Sequence, residues 1–226
     1  MLHQLAPNLW HAVYKYNADG KESSSRMTVV RLRSGDIWVH SPIPLSRRMQ
    51  SDISALGPVR YVVAPNRYHH LYVSDALKAF PQSVLFGAPG LQVKRPDLTG
   101  MRVLQANAEA QWCDDLDQVF VDGIPVLNET VWFHKPSATL ILTDLCQWTE
   151  ADKPNQARMY EQLTCAREGL AASRTLKLVV KDRLAAKTSV QRILKWPFQR
   201  VILAHNEVIQ QGARVQITSA LAWFLR

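Results

Sequence analysis

The amino-acid sequence predicts a mixed-sheet α/β domain. Three observations carry that reading. Short apolar runs of strand length recur along the first two thirds of the chain, and some face each other across polar turns as hairpins. Between them lie stretches with apolar residues at helical spacing. The final third turns mainly helical, so strands and helices alternate with hairpins mixed in. The chain has 226 residues, 47% apolar and 20% charged, which supplies a core and excludes a disordered polypeptide. No stretch recurs at a fixed period, which excludes a repeat array. No linker looks long enough to divide the chain, so residues 1–226 are expected to form one domain.

The elements follow in order. Asn8–Tyr14 is a short apolar run. Met27–Leu32 and Ile37–His40 flank the polar turn Arg33-Ser34-Gly35-Asp36 and read as a hairpin. Ser41-Pro42-Ile43-Pro44 stops the second strand, because proline removes backbone donors. Ser46 to Leu56 reads as a helix ended by Gly57. Arg60–Ala64 (RYVVA) is a buried strand halted by Pro65. Val73, Leu77 and Phe80 lie at helical spacing before Pro81. Ser83–Phe86 is another strand, followed by the loop Gly87-Ala88-Pro89-Gly90. Arg102–Gln105 and Gln118–Val121 are strand candidates. Thr130–His134 and Thr139–Thr143 form a second hairpin across Lys135-Pro136-Ser137. Pro154 suits a first helical position, and Met159, Leu163, Ala166 and Leu170 mark one face of the helix it would open. Leu184, Val190, Ile193 and Leu194 mark the next helix, which Pro197 ends. Arg200–Ala204 (RVILA) is a strand, and Ile217, Leu221 and Phe224 mark a closing helix.

No apolar run reaches the about 18 residues needed to cross a bilayer. The first residues, MLHQLAPNLWHAVYKY, lack the basic-then-apolar order of a signal peptide. Cys113, Cys146 and Cys165 form neither a CxxC pair nor a disulfide framework and read as inert core or surface residues. A cytoplasmic location is expected, away from membranes.

The net charge of +8 is uneven. Ser173 to Arg226 holds ten bases and two acids, which accounts for all of it. Gln105 to Thr130 holds six acids and no base. A basic patch can attract nucleic acid or an anionic substrate. This one lacks the interleaved stacking aromatics of a single-strand binder. A solvated helix face balanced by an acidic surface is the plainer reading, and nucleic-acid binding is kept as an alternative. Trp38, Trp132, Trp196 and Trp223 read as core or half-buried aromatics.

The chain carries no GxGxxG, Walker loop, GxSxG elbow or HExxH. What it does carry is a repeated order. RYVVA leads to His69-His70, TLILT leads to Asp144, and RVILA leads to His205. In α/β sheets, ligands gather at strand ends, where side chains leave the packed core. Three strand ends would thus bring three histidines and a carboxylate together, a donor set that suits Zn²⁺ and that Fe or Mn accepts. The plainer alternative makes His69 and His70 polar residues at the start of a helix and Asp144 a turn residue. His134 reads as a surface residue.

This order resembles the metallo-β-lactamase superfamily, and more closely its DUF4336 group. The residues that carry the resemblance are LAPNLW, RMTVVRL, IWVHSPI, LGPV, VVAPNRYHH, PGLQVKRPDL, VWFHKPSATLILTDL and RVILAH, which span most of the chain. The resemblance implies a four-layered αββα sandwich with two mixed sheets and a metal site at one edge of them. Typical members carry THxHxDH where this chain has Ala64-Pro65-Asn66-Arg67-Tyr68-His69-His70. Pro65 and Arg67 replace the first two histidines, His69 replaces the aspartate, and His70 matches the last histidine. Asp144 in LTDL matches the bridging aspartate, and His205 in LAHN the final histidine. The histidine of the PGHTPGS segment should fall near Pro125–Glu129, where none stands.

All three losses belong to one metal position of the dinuclear site. The resemblance therefore implies a mononuclear site of His69, His70, Asp144 and His205, holding one divalent metal, Zn first, with Fe or Mn as alternatives. The implied activity is metal-dependent hydrolysis of a small-molecule ester, thioester, lactone or phosphoester, with Asp144 sharing ligation and receiving a proton. Four protein ligands would leave no open position, so a non-catalytic metal- or anion-binding descendant stands as the alternative. His40 is a candidate for holding a ligand's ring in place. Asn66 or Arg67 is a candidate for facing the pocket and binding an anionic group.

Overall fold

The structure is a computed structural model that describes residues 1–18, 21–149, 169–172, 174–205 and 208–226. Seven strands run β1 (His3–Ala6), β2 (Leu9–Ala18), β3 (Lys21–Arg31), β4 (Ile37–His40), β5 (Val59–Ala64), β6 (Val84–Gly87) and β7 (Arg102–Val103), and they form one sheet in sequential order. Its first half is antiparallel, and pairing turns parallel from β4 onward. The second sheet is built from β8 (Leu116–Phe120), β9 (Thr130–His134), β10 (Thr139–Leu142), β13 (Arg200–Leu203) and β14 (Val208–Ile209) in the order β14-β13-β10-β9-β8. There β10 and β13 are parallel and the other pairs antiparallel. A small antiparallel pair joins β11 (Gln147–Thr149) to β12 (Gly169–Ala171).

Three apolar clusters define the layers. One lies between the sheets and includes Leu9, Trp38, Phe86, Trp112, Trp132, Ile141 and Ile202. A second packs the first sheet against α1 (Arg47–Ser54), α2 (Val73–Ala79) and α3 (Leu91–Lys94) through Ile53, Val62, Val73, Ala76 and Leu91. A third packs the second sheet against α5 (Arg183–Lys195) and α6 (Ala213–Leu225), with Val190, Ile193, Ile217 and Leu221 on Phe133, Leu140 and Val201. Alternation along a strand explains the division: Trp132 faces the partner sheet while Val131 and Phe133 face the helices. The architecture is the expected αββα sandwich of two mixed sheets.

Local chemistry sets the element ends. The β3–β4 turn closes through Gly35 N donating to the Leu32 carbonyl and Leu32 N to that of Asp36. Ser46 caps α1 by accepting from Met49 N at 3.2 Å. Gly57, at φ 151°, follows that helix, and a Cβ there would collide with the Gly35 carbonyl. Asp182 caps α5 by accepting from Ala185 N at 2.9 Å. The short helix α4 (Arg174–Leu178) precedes it. The second hairpin, the β5 strand, α2 and the closing helix fall where the sequence puts them.

Some expectations are corrected. Leu170 lies in the strand β12 instead of a helix; Met159, Leu163 and Ala166 of that helix, like Cys165, lie outside the described residues. His134 is buried, because it shares the face of β9 that Trp132 turns toward the other sheet. Burial lowers its pKa to about 4, against a smaller opposing pull from Asp115. Cys113 and Cys146 are free thiols, and burial pushes that of Cys146 far up, which makes it unreactive. Trp38 and Trp132 are buried, as expected. Among the described residues no helix is long and apolar enough to cross a membrane.

Candidate metal centre

The parallel strands β4, β5, β10 and β13 deliver their C-terminal ends to one edge of the two sheets. His69 stands in the turn after β5, Asp144 just after β10, and His205 just after β13. Their side chains meet. His69 Nε2 lies 3.2 Å from His205 Nε2. Asp144 Oδ1 lies 3.1 Å from His205 Nε2, and Asp144 Oδ2 lies 3.4 Å from His69 Nε2. The three are drawn from widely separated parts of the sequence, and the sheet topology brings those parts together.

The outer ring nitrogens are tied down. His205 Nδ1 lies 2.6 Å from the Ser24 carbonyl, an acceptor only, so Nδ1 carries a proton and Nε2 is the nitrogen left to face a metal. His69 Nδ1 lies 2.7 Å from Ser41 Oγ. A second polar contact of this kind is what orients a metal-binding imidazole. Ser41 itself adopts φ 52°, a left-handed conformation unusual for serine, directly after β4.

Asn66 links two of the three groups. Its side-chain carbonyl accepts from the amides of Tyr68 and His69, both at 2.8 Å, which builds the turn that carries His69. Its amide nitrogen donates to Asp144 Oδ2 at 2.6 Å and Thr143 Oγ1 at 2.8 Å. Glu129, fully buried, accepts from the backbone amides of Thr143, Asp144 and Leu145 at 2.7, 2.8 and 3.0 Å. The turn carrying Asp144 is therefore wrapped around a second carboxylate.

Charge follows from these contacts. Burial raises the Glu129 pKa to about 7, helped by Asp144. Burial also works against the Asp144 charge, yet His69 and His205 together overcome it and hold the carboxyl well below its ordinary value. Burial lowers the His205 pKa, but the Asp144 hydrogen bond and charge outweigh it and the net shift is upward. Without a cation, two facing imidazoles and a carboxylate need a proton among them.

The donor set fits a divalent metal. A tetrahedral ion with bonds of about 2.0–2.1 Å spaces its ligand atoms about 3.3–3.4 Å apart. The three spacings here, 3.1 to 3.4 Å, match that edge length. Two imidazoles and a carboxylate suit Zn²⁺, with Fe or Mn also accommodated.

The other sequence candidates separate from this group. His70 is not among the three side chains that converge. It is buried, with Nδ1 3.2 Å from Arg95 Nη1. Burial, followed by Lys94 and Arg95, lowers its pKa to about 4. His40 is buried between Trp38 and Trp132, with ring centroids 5.3 and 5.1 Å away. Both its nitrogens lack partners among the described residues, so it holds no ligand's ring; its neighbour Ser41 does that. Asn66 is buried and joins ligands instead of lining the pocket, while Arg67 Nη1 reaches the Pro125 carbonyl at 3.1 Å.

Residues 22–175 match the family described as a domain of unknown function, DUF4336. The chain belongs to the DUF4336 family. No curated protein matches it. By structure this DUF4336 protein is similar to a metallo-β-lactamase from Pontibacter korlensis, at 12% identity and TM-score 0.66, over 98% of either chain. It is also similar to a metallo-β-lactamase from Hirschia baltica, at 11% identity and TM-score 0.66, over 100% of this chain and 97% of that one. A flavodiiron core from Synechocystis matches at 9% identity and TM-score 0.65, over 99% of this chain and 60% of that one. At such identities the likeness shows the fold, the metallo-β-lactamase fold. In this DUF4336 chain the candidate centre lies where the strand ends open; sequence reading missed Glu129, and it gave Asn66 the role of an anion binder instead of a link between ligands. Glu129 is a lone acid before the apolar run TVWF, and Asn66 stands two and three residues before the amides it caps; both patterns are visible in the sequence once the turn is known.

Proposed function

We propose that this protein binds one divalent metal ion, zinc first, through His69, Asp144 and His205, and acts as a metal-dependent hydrolase on a small-molecule ester, thioester, lactone or phosphoester. The observation that supports this reading is the convergence of three lone-pair atoms at 3.1 to 3.4 Å, with both outer imidazole nitrogens already engaged. With His70 outside the group, the described residues supply three ligands instead of four. Three protein ligands are the pattern of catalytic zinc sites and four that of structural ones.

A cation held there supplies Lewis acidity and acidifies water near neutral pH. The residues of the chain do the rest. Ser24 and Ser41 keep the imidazoles facing inward. Asn66 holds Asp144 Oδ2, which turns the carboxylate toward both histidines. Asp144 is the group positioned to accept a proton from attacking water. Trp38, His40 and Trp132 pack on one another, with ring centroids 5.1 to 5.4 Å apart, next to Ser41, which holds His69.

Metal analysis of the purified protein, together with esterase, lactonase and phosphodiesterase assays with and without chelator, tests this. The expected result is about one equivalent of metal and turnover that chelator abolishes and metal restores. A protein that takes up no metal overturns the proposal. Bound metal without chelator-sensitive turnover on any substrate replaces it with the non-catalytic binding descendant. Nucleic-acid binding by the basic C-terminal third has less support: Arg214 donates to the Leu194 and Trp196 carbonyls, and Arg183 lies 4.6 Å over the Trp223 ring.

A further inference from the structure

The loops after β5 and β6 place cations on the same sheet edge as the three converging ligands. Lys94 Nζ donates to the Arg67 carbonyl at 2.9 Å and lies 4.9 Å over the Tyr68 ring, so its ammonium is held above the turn that carries His69. One arm of the Arg67 guanidinium is fixed on the Pro125 carbonyl, while its Nε is buried and has no partner among the described residues. No acidic side chain pairs with Arg67 or Lys94 among the described residues. The nearby acids are used elsewhere: Asp97 binds Arg95 at 2.6 and 2.8 Å, and Glu129 accepts from three backbone amides.

His70 adds a buried donor to this region. A guanidinium only donates, so His70 Nδ1 accepts from Arg95 Nη1 and the imidazole proton sits on Nε2. That Nε2 is buried, in a residue only 4% exposed, again without a partner among the described residues. Buried N–H donors left without acceptors are costly unless something supplies the acceptor. Next to them in the chain stand exposed apolar side chains, Tyr68 at 49%, Leu71 at 69% and Val93 at 80% exposed.

We infer that Arg67 and Lys94, backed by His70, form an oxyanion subsite beside the candidate metal centre, so that the substrate carries a second, non-reacting phosphoryl or carboxylate group on an apolar body. The use of this subsite in catalysis rests on the hydrolase reading above; oxyanion binding itself does not. A guanidinium arm and an ammonium offer charge-assisted hydrogen bonds to such a group, and the apolar rim receives the rest of the molecule.

Calorimetric titration of the intact protein with inorganic phosphate, and in parallel with acetate, tests the subsite, with and without chelator and in Arg67→Gln/Lys94→Gln and Lys94→Gln variants. The expected result is saturable binding that survives chelator, weakens about tenfold in the double variant and about threefold in Lys94→Gln. The tighter of the two anions names the group. Lys94→Gln keeps the test alive if loss of the Arg67–Pro125 contact unfolds the double variant. No saturable binding, or binding indifferent to both variants, overturns the subsite. Phosphate binding that vanishes with chelator and ignores the variants also overturns it, while supporting the metal centre. Variant-sensitive binding in a protein that holds no metal leaves the subsite standing and removes the hydrolase reading.

Discussion

Two pairs of buried or half-buried histidines in this molecule do opposite things. His69 and His205, at the open strand ends, each have one ring nitrogen on an oxygen partner and the other on Asp144 and each other. His40 and His134 lie between the sheets, packed on aromatics or against a serine, with three of their four ring nitrogens contacting nothing polar among the described residues. The residue type is the same. What separates a ligand from a packing residue is whether the second nitrogen is anchored so that the first points at other lone pairs. His70 makes the contrast sharper: it follows His69 directly, yet its ring turns to Arg95.

The largest effect should come from breaking that contrast directly. His69→Ala and His205→Ala should each lower zinc affinity about 100-fold or more, while His70→Ala changes it less than about threefold. Competition against a fluorescent chelator measures this. Equal losses in all three variants would place His70 back among the ligands.

The next effect concerns the turn that presents Asp144. Glu129→Ala leaves three backbone amides without their acceptor and should cost about 3 kcal/mol or more by urea unfolding. Glu129→Gln, which keeps one acceptor, should cost less. A cost under about 1 kcal/mol for Glu129→Ala would show that the turn holds without its carboxylate.

The smallest effect distinguishes the packing histidines. The folded pKa of His134, about 4, lies below its ordinary 6.5, so the unfolded chain binds this proton first as pH falls. The stability it contributes is complete above about pH 6.5 and is lost as pH drops toward 4, by at most about 1.4 kcal/mol per pH unit. His40, lowered to about 3 by burial and then His69, acts in the same sense. Glu129, raised to about 7, acts in the opposite sense in both proteins compared. His134→Asn should therefore show a flatter fall in urea-unfolding free energy between pH 6.5 and 4.5 than the parent. Identical slopes would mean that His134 titrates in solvent-like surroundings.

The fold was legible because it is written in short-range chemistry. Apolar runs, Pro65, Pro81 and Pro197 stops, and the Gly35 turn each act within a few residues, and the elements appear where they point. The strand-then-ligand order likewise brought His69, Asp144 and His205 into view. Two things were not legible. Which of two adjacent histidines turns inward depends on the Asn66 turn and on Arg95, a residue 25 positions away that claims His70. The burial of His134 depends on which face of β9 meets the other sheet, a matter of tertiary packing that a hairpin position does not reveal. Glu129 escaped notice for the same reason, since its three amide partners lie 14 to 16 residues ahead.

The most direct test of the central claim is an anomalous-scattering map from crystals of zinc-loaded protein, collected on both sides of the zinc absorption edge. The account predicts a single peak within bonding reach of His69 Nε2, His205 Nε2 and a carboxylate oxygen of Asp144. A peak on His70, or none near these side chains, would contradict it.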